Sequence, residues 1–487
     1  MRQRALVGLL AALGASVAAE RTAHANGAFP LANQLLANPS DATELVMRGN
    51  FGLVVSRDGG ESWGWLCEKG MGYENIEPPM AVLESGVVLL ALSTGISRSD
   101  ASWCDFGLAS GISASVVDLS IERATPEAAV ALSLDLETMV SQVWESTDDG
   151  QSWSALGDAF PDFEATTLDV AATDSDRIYV SGRSVPGGKG TLLRSDDHGA
   201  SWTSFEIPSL IASLPYIAAL HPDDPDTVYV RRNGSPGTLW VTRDGGESFT
   251  MALRLNGPMK AFALSPDGNT ALAGNLSDGL HRADTESLSF ERIACAGVQC
   301  LSWNEDGLFS CGDLLVNGYL IGKSTDAGET FDSVLLPSCL TGPLECGDTT
   351  STAMCAADWP TVRMNLSPTE CADDPGAIPV STACFQTGGA GGAGGMTTGP
   401  ESAGSAGDDA GAGGDAGAGV TTTAGAAGEL SSSGGMPPAS EEPLLPGGGC
   451  SCALGSRRED SWICILLAAG ALRRRARRRA ALSSGRR

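Results

Sequence analysis

Carboxylate side chains are the residue type in this sequence that could best support catalysis. The 487-residue chain contains 59 Asp and Glu residues, and two carboxyl groups about 5–10 Å apart can hydrolyse a glycosidic bond. The histidines beyond the N-terminal segment, His198, His221 and His281, fall in predicted turns or turn-like loops, so imidazole catalysis and metal ligation are not indicated. No P-loop pattern is present. Since nothing singles out two carboxylates, we predict no catalytic residue, no cofactor and no metal site.

The elements that would position any site are organised by an eight-residue segment that recurs five times. It follows the template Ser/Thr-x-Asp-x-Gly-x-Ser/Thr-Trp/Phe, and we call each copy a box. Asp bonds nearby backbone and Gly accepts a positive φ, so the Asp-x-Gly core favours a tight turn. The hydroxyl adds a further side-chain-to-backbone bond, and each box is therefore predicted to lock a β-hairpin corner. The template residues are Ser56, Asp58, Gly60, Trp63; Ser146, Asp148, Gly150, Trp153; Ser195, Asp197, Gly199, Trp202; Thr242, Asp244, Gly246, Phe249; and Ser324, Asp326, Gly328, Phe331.

The spacing of the boxes predicts the fold. They begin at residues 56, 146, 195, 242 and 324, so two intervals (90 and 82) are close to double the other two (49 and 47). Each long interval contains an eroded copy: 97–103 is one residue short, and 282–290 is one residue long and lacks the Gly. Seven units of about 40–50 residues, each with four strand-like runs between turn signals, predict an all-β, seven-bladed β-propeller.

The boxes resemble the Asp-box, also called the BNR repeat. In families that carry it, this repeat is a structural element of the blade rim, and some of those families are sialidases or other glycosidases. A sialidase-like site needs an arginine cluster, a Tyr nucleophile and a Glu partner. Of the five tyrosines, Tyr179 and Tyr229 occupy matching positions in predicted second strands, which indicates packing. The Phe/Tyr-Arg-Ile-Pro motif is missing, because Ala28-Phe29-Pro30 lacks the arginine, so the resemblance implies architecture rather than sialidase activity.

The charge of the chain is distributed unevenly. The formal net charge is −28, but the last 38 residues carry +8 and the first 25 carry +2, which leaves −38 on the stretch between them. Such an acidic body repels phosphate backbones, so nucleic acid is not an expected partner. We interpret the acidity as a contribution to solubility outside the cell.

The N-terminus predicts export. Arg2 and Arg4 precede an apolar run, and Ala23-His24-Ala25 offers a small-x-small cleavage site. Residues 1–25 are therefore predicted to be a signal peptide. An exported protein can form disulfide bonds, and ten of the 13 cysteines lie between Cys67 and Cys384. Ten is an even number, as a set of disulfides would be.

Two disulfide pairs are suggested by position. Cys300 and Cys311 flank the turn at 304–307 symmetrically, which predicts a bond across two strands of a hairpin. Cys67 and Cys104 follow consecutive boxes, and we predict that they join the first two blades.

Composition divides the rest of the chain. The propeller is predicted over residues 26–337, and a cysteine-rich extension over 338–385 is expected to pack on the last blade. Residues 386–446 are rich in Gly, Ala and Ser and cannot bury a core, so they are predicted to be a disordered tether. Residues 447–487 combine a Gly-rich approach, Cys450 and Cys452, an 11-residue apolar run and an Arg block.

This C-terminal segment resembles the myxobacterial C-terminal sorting tail. The resemblance implies processing near Cys450 and Cys452 by a sorting protease, with the protein then held at the cell surface through the outer membrane. The alternative is a poor transmembrane anchor, because 11 apolar residues fall short of the roughly 20 needed to span a bilayer. The sequence thus predicts an exported, surface-tethered, monomeric propeller that binds a glycan or a protein. The alternative function is an extracellular glycoside hydrolase, sialidase- or glucanase-like, with a carboxylate pair on the propeller face.

Overall fold

The computed structural model describes residues 30–366 and residue 371, except for positions 75, 212, 233 and 296 and the pair 348–349. Seven antiparallel four-stranded sheets form the blades of a propeller, and the predicted fold class is confirmed. The strands, numbered β1–β29 in chain order, are: blade 1, Ala32–Asn38, Asp41–Gly49, Gly52–Ser56, Trp63–Leu66; blade 2, Met80–Val82, Val88–Leu92, Gly95–Ser99, Phe106–Leu108; blade 3, Val116–Ile121, Ala129–Asp135, Val140–Ser146, Ser154–Phe160; blade 4, Phe163–Ala171, Asp174–Ser184, Lys189–Ser195, Thr203–Ile211; blade 5, Pro215–Leu220, Val228–Arg232, Gly237–Thr242, Thr250–Leu255; blade 6, Ala261–Leu264, Thr270–Asn275, Gly279–Asp284, Glu291–Ala294; blade 7, Cys300–Asn304, Gly307–Cys311, Ile321–Ser324, Asp332–Leu335; and lastly Leu340–Pro343.

The first strand of every blade is the innermost one. Each first strand contacts that of the next blade, and the first strand of blade 7 contacts that of blade 1, so these strands surround the central channel. The propeller has two faces. The box face carries the boxes and the turns between first and second strands, and the loop face carries the connections between second and third strands and between blades. The blades pack through apolar side chains from both of their surfaces.

The same pattern of hydrogen bonds occurs within each of the five boxes. In blade 3, Ser146 Oγ donates to Asp148 Oδ1 (2.8 Å) and accepts from the N–H of Gly150 (3.0 Å). The Ser152 N–H donates to Asp148 Oδ1 (2.9 Å). Burial opposes ionisation of Asp148, but hydrogen bonds from Ser152 and Ser146 outweigh it and lower its pKa. The pKa is likewise lowered at Asp58, Asp197, Asp244 and Asp326.

The boxes also fasten each blade to the one before it. A Cβ atom at Gly150 would lie 2.6 Å from a methyl carbon of Leu89 in blade 2, and one at Gly246 would lie 2.7 Å from the ring of Phe205 in blade 4. Arginines near one box also donate to backbone carbonyls of the next: Arg98 Nε to Asp149 (2.6 Å), Arg194 Nη1 to Gly245 (3.1 Å) and Arg243 Nη2 to Glu286 (2.9 Å). The sequence predicts the local turn, but these inter-blade contacts were not foreseen.

The fourth box position provides a stability test. Ala327 has φ 56°, in the left-handed region, where the boxes of blades 1 and 5 have Gly59 and Gly245. Ala327→Gly is expected to raise the free energy of unfolding by about 0.5–1 kcal/mol, because Gly removes the steric cost of that conformation. Urea denaturation measures the change. Ala200→Gly is the control, since Ala200 is likewise a box alanine but is not at positive φ, and it should lose stability.

After blade 7 the chain crosses to blade 1. We call residues 337–371, as far as they are described, the strap. Its strand β29 pairs in parallel with β4, with Leu340 opposite Trp63. Its helix Thr350–Leu366 (α2; α1 is the short Leu314–Asn317) packs on the 3₁₀ helix Glu68–Met71 that follows β4. The expectation that the extension packs on the last blade is wrong, because the strap extends the sheet of blade 1.

Disulfide bonds hold the strap in place. Cys67 bonds to Cys355, Cys104 to Cys346 and Cys339 to Cys371. The predicted Cys67–Cys104 pair is therefore wrong. Cys67 follows the fourth strand of blade 1 whereas Cys104 precedes that of blade 2, so the two lie at opposite ends of equivalent strands. The Cys300–Cys311 bond is present, across directly opposed residues of one hairpin.

The signal peptide, the tether, the C-terminal tail, Cys384, Cys450 and Cys452 all lie outside the described residues. Within the described residues, no helix has the length and apolar character to cross a bilayer.

Candidate functional site

Polar side chains on the first strands bridge adjacent blades along the channel. Gln34 binds the backbone of Met80 in blade 2, with Nε2 donating to its carbonyl (2.9 Å) and Oε1 accepting from its N–H (3.2 Å). Thr167 Oγ1 accepts from the N–H of Ile217 in blade 5 (2.8 Å). Buried backbone groups require such partners, so the innermost strands are joined to their neighbours by side chains.

Two carboxylates bridge blades 3 and 4 in the same way. Asp118 Oδ2 accepts from the N–H of Leu168 (3.0 Å), and Asp169 Oδ1 accepts from the hydroxyl of Ser120 (2.6 Å). Burial raises the pKa of Asp118 to about 7, and the charge of Asp169 adds to this shift, while hydrogen bonds from Leu168 and Leu119 oppose it. Burial also raises the pKa of Asp169. Such shifted carboxyl groups are typical of functional sites as well as of structural networks.

Blades 4 and 5 carry two arginines at equivalent positions beside the channel, and one of them, Arg231, is near enough to Asp118 to affect its pKa. Arg183 lies opposite Glu164 on the neighbouring strand, and Arg231 lies opposite Tyr216. Arg183 forms an ion pair with Glu164 (2.6 Å). Arg231 stacks on the Tyr216 ring (5.3 Å from Cζ to the centroid) and donates from Nη1 to the carbonyl of Met259 (2.8 Å). Burial lowers the pKa of Arg231, while Tyr216 and Asp118 raise it.

The sequence did not identify this channel cluster, which consists of Asp118, Asp169, Glu164, Arg183, Tyr216 and Arg231. A signal was present, since Asp118 interrupts the apolar run Val116–Leu119 of an inner strand. Tyr179 and Tyr229 are fully buried packing residues, and the Tyr179 hydroxyl donates to the carbonyl of Pro225 (2.8 Å).

The three histidines among the described residues do not form a site. His221 lies in the first turn of blade 5, and His198 in the box of blade 4 bonds to Glu145 of blade 3 (2.7 Å). The placement of His281 in a turn or box loop is wrong: it lies on the third strand of blade 6, where burial lowers its pKa. Among the described residues, no three His, Cys, Asp or Glu side chains converge as metal ligands.

A second concave region lies on the box face between blades 2 and 3. It has a volume of about 390 Å³ and is lined mainly by carboxylates. Asp148 is part of a box and its oxygens already accept bonds within the turn. The lining residues are Glu84, Ser85, Pro126, Glu127, Asp148, Asp149 and Gln151.

Asp118→Asn is expected to stabilise the protein more at pH 8 than at pH 5, by about 2 kcal/mol. The folded pKa of about 7 lies above the ordinary 3.8, so folding favours the protonated carboxyl. The stability that protonation provides is therefore lost as pH rises through this window. Asn keeps an oxygen for the Leu168 N–H but has no charge. Urea unfolding at both pH values measures the difference, and Asp148→Asn is the control, since its lowered pKa predicts a loss at pH 8.

Comparisons with known proteins support a β-propeller. A family model described as Sortilin-Vps10 (sortilin, neurotensin receptor 3) matches residues 141–272, which run from blade 3 into blade 6 and make up less than half of the chain. No curated protein matches the sequence.

The fold resembles those of solved structures at low sequence identity. An ancestral GH74 enzyme has 15% identity and a TM-score of 0.50, and the match covers 63% of this chain and 46% of that one. The extracellular domain of a one-component system from B. thetaiotaomicron has 13% identity and a TM-score of 0.45, with 59% and 38% covered. A GH74 enzyme from Niastella koreensis has 14% identity and a TM-score of 0.36, with 62% and 54% covered. The chain spans about half the length of these proteins or less, and the likeness is one of fold.

Proposed function

We propose that the protein is an exported, surface-tethered propeller that binds a glycan or protein ligand without converting it. The observation that carries this proposal is that the ionisable groups in the channel are engaged in hydrogen bonds and ion pairs within the propeller. Asp118 and Asp169 accept bonds that join blades 3 and 4, and Glu164 is paired with Arg183. Groups held in such bonds stabilise the contacts between blades and are not available for catalysis. A ligand would then bind at the loop face or in the grooves between blades.

The proposed domain order is a signal peptide (1–25), a propeller of Asp-box type (26–337), the cysteine-rich extension (338–385), a tether (386–446) and a sorting tail (447–487). The described disulfides are typical of an oxidising, extracytoplasmic compartment. We propose that the tail is processed at Cys450 and Cys452 by a sorting protease and anchors the protein, as a monomer, at the outer membrane.

The second candidate function is a glycoside hydrolase, and one observation favours it. Asp118, with a pKa near 7, lies within electrostatic range of Asp169. Two carboxyl groups with different pKa values can act as acid and base in glycoside hydrolysis.

A screen with the full-length protein separates the two candidates. Neutral and charged polysaccharides are incubated with the protein and assayed for new reducing ends, while glycan and surface-protein arrays report binding. Binding without turnover supports the proposed function. Turnover that is lost in Asp118→Asn and Asp169→Asn would instead establish the hydrolase.

A further inference from the structure

Blade 5 carries a row of cations and a hydroxyl near the loop face. Arg232 on the second strand lies opposite Thr238 on the third, and Thr238 lies opposite Arg254 on the fourth. Directly opposed residues of antiparallel strands point to the same side of a sheet. Trp240, two residues after Thr238, shares that side and packs with Ile207 and Leu210 of blade 4. The row therefore lies on the side of blade 5 that faces blade 4, and we call the region between the two blades at this point the cleft.

Three hydrogen-bonding atoms in this cleft have no partner among the described residues. They are Arg232 Nε, Thr238 Oγ1 and Trp240 Nε1. Thr238 and Trp240 are only 5% and 9% exposed, so water does not freely replace a missing partner. Buried polar atoms in folded proteins nearly always have one. Three such atoms on one side of one blade thus indicate a place where an external group binds.

The chemistry of the cleft indicates an anion. Arg and the Trp indole only donate hydrogen bonds, and a Thr hydroxyl can donate as well. With the described residues, neither Arg232 nor Arg254 forms an ion pair, although the body of the chain is strongly acidic. The two arginines lie two strands apart, about 10 Å. A chain that carries successive anionic groups can contact both.

We propose that the cleft between blades 4 and 5 binds carboxylate or sulfate groups of an acidic polysaccharide. The proposal rests on the binding function above and names its ligand class. Arg232, Thr238 and Trp240 bind one oxyanion in the cleft, and the exposed Arg254 contacts the next group along the chain. Duplex DNA is the competing polyanion, and the binding test below distinguishes it from an acidic polysaccharide.

The first test needs no ligand. Thr238→Val is expected to leave the melting temperature of the full-length protein unchanged or slightly higher, because the hydroxyl loses no protein partner. Thr191→Val is the matched control on the third strand of blade 4. Its buried hydroxyl donates to the carbonyl of Lys189 (3.1 Å), so its loss should lower the melting temperature by about 2–4 °C. A comparable drop in Thr238→Val would overturn the proposal.

The second test measures binding by calorimetry with full-length protein. The probes are a polyuronate, a sulfated glycan, inorganic sulfate, a neutral glucan and duplex DNA. We expect the polyuronate or the sulfated glycan to bind, with affinity about 10-fold lower in Arg232→Gln and in Trp240→Phe. Arg292→Gln, an equal charge change on the fourth strand of blade 6, should leave affinity within about twofold.

Every other outcome of the binding test overturns either the polysaccharide proposal or the non-catalytic function. Equal affinity in all variants, tighter binding of DNA, or binding of inorganic sulfate alone would overturn the polysaccharide proposal. Binding only of a neutral glycan or a protein would overturn it too, while leaving the binding function intact. Turnover of a probe would overturn the non-catalytic function, but the effects of the cleft variants would still stand.

Discussion

Removing the Cys67–Cys355 bond by a double alanine substitution is expected to destabilise the protein by up to about 5 kcal/mol. This bond joins residues separated by 288 positions, so it spans nearly the whole ring. A cross-link stabilises mainly by restricting the unfolded chain, and the restriction grows with the length of the loop. Urea unfolding of wild type and variant under oxidising conditions measures the difference.

The control is the Cys300–Cys311 bond, which joins residues only 11 positions apart in one hairpin. Its double alanine variant is expected to lose about 3 kcal/mol or less. Removing Cys104–Cys346 after Cys67–Cys355 should cost more than removing it first, because each bond shortens the loop that the other closes. Equal losses at the hairpin and at Cys67–Cys355 would show that the strap does not close the ring.

The strap explains how this propeller can close. In the part of the chain that the structure describes, every blade is built from one continuous stretch, so no strand exchange joins blade 7 to blade 1. Instead, β29 leaves blade 7 and adds a fifth strand to blade 1, and Cys346 and Cys355 tie it to the fourth-strand regions of blades 2 and 1. The contact between the first strands of blades 1 and 7 is thus reinforced from the rim. Ring closure depends on residues that lie outside the repeats.

The sequence predicted the parts of the fold that local patterns encode. A box is complete within eight residues, so the spacing between boxes predicted the number of blades. The symmetric positions of Cys300 and Cys311 about one turn predicted their disulfide bond. The partners of Cys67 and Cys104 depend on where the chain goes after a full circuit of the ring, which no local pattern contains. The channel cluster was missed for a similar reason. Asp118 accepts a hydrogen bond from Leu168, 50 residues later, and this contact forms only when blades 3 and 4 pack side by side.

Gly60→Ala is expected to lower the free energy of unfolding by about 3 kcal/mol. Gly60 has φ 100°, where a side chain is strained by about 1–2 kcal/mol. Its new Cβ would also lie 2.5 Å from a methyl carbon of Val334 in blade 7, and forced overlap in a packed region typically costs a further 1–3 kcal/mol. The substitution therefore acts at the seam where the ring closes.

Gly59→Ala is the matched control, because Gly59 precedes Gly60 in the same box and has φ 73° but has no atom within 4 Å of its Cβ position. Its free energy of unfolding should fall only by the cost of the backbone strain, about 1–2 kcal/mol. The difference between the two variants isolates the contact between blades 1 and 7. Val334→Ala should recover part of the loss in Gly60→Ala, because it removes the methyl carbon that the new Cβ would meet. If the two glycine variants lose equal stability, the box of blade 1 is a local turn only and does not fasten the seam.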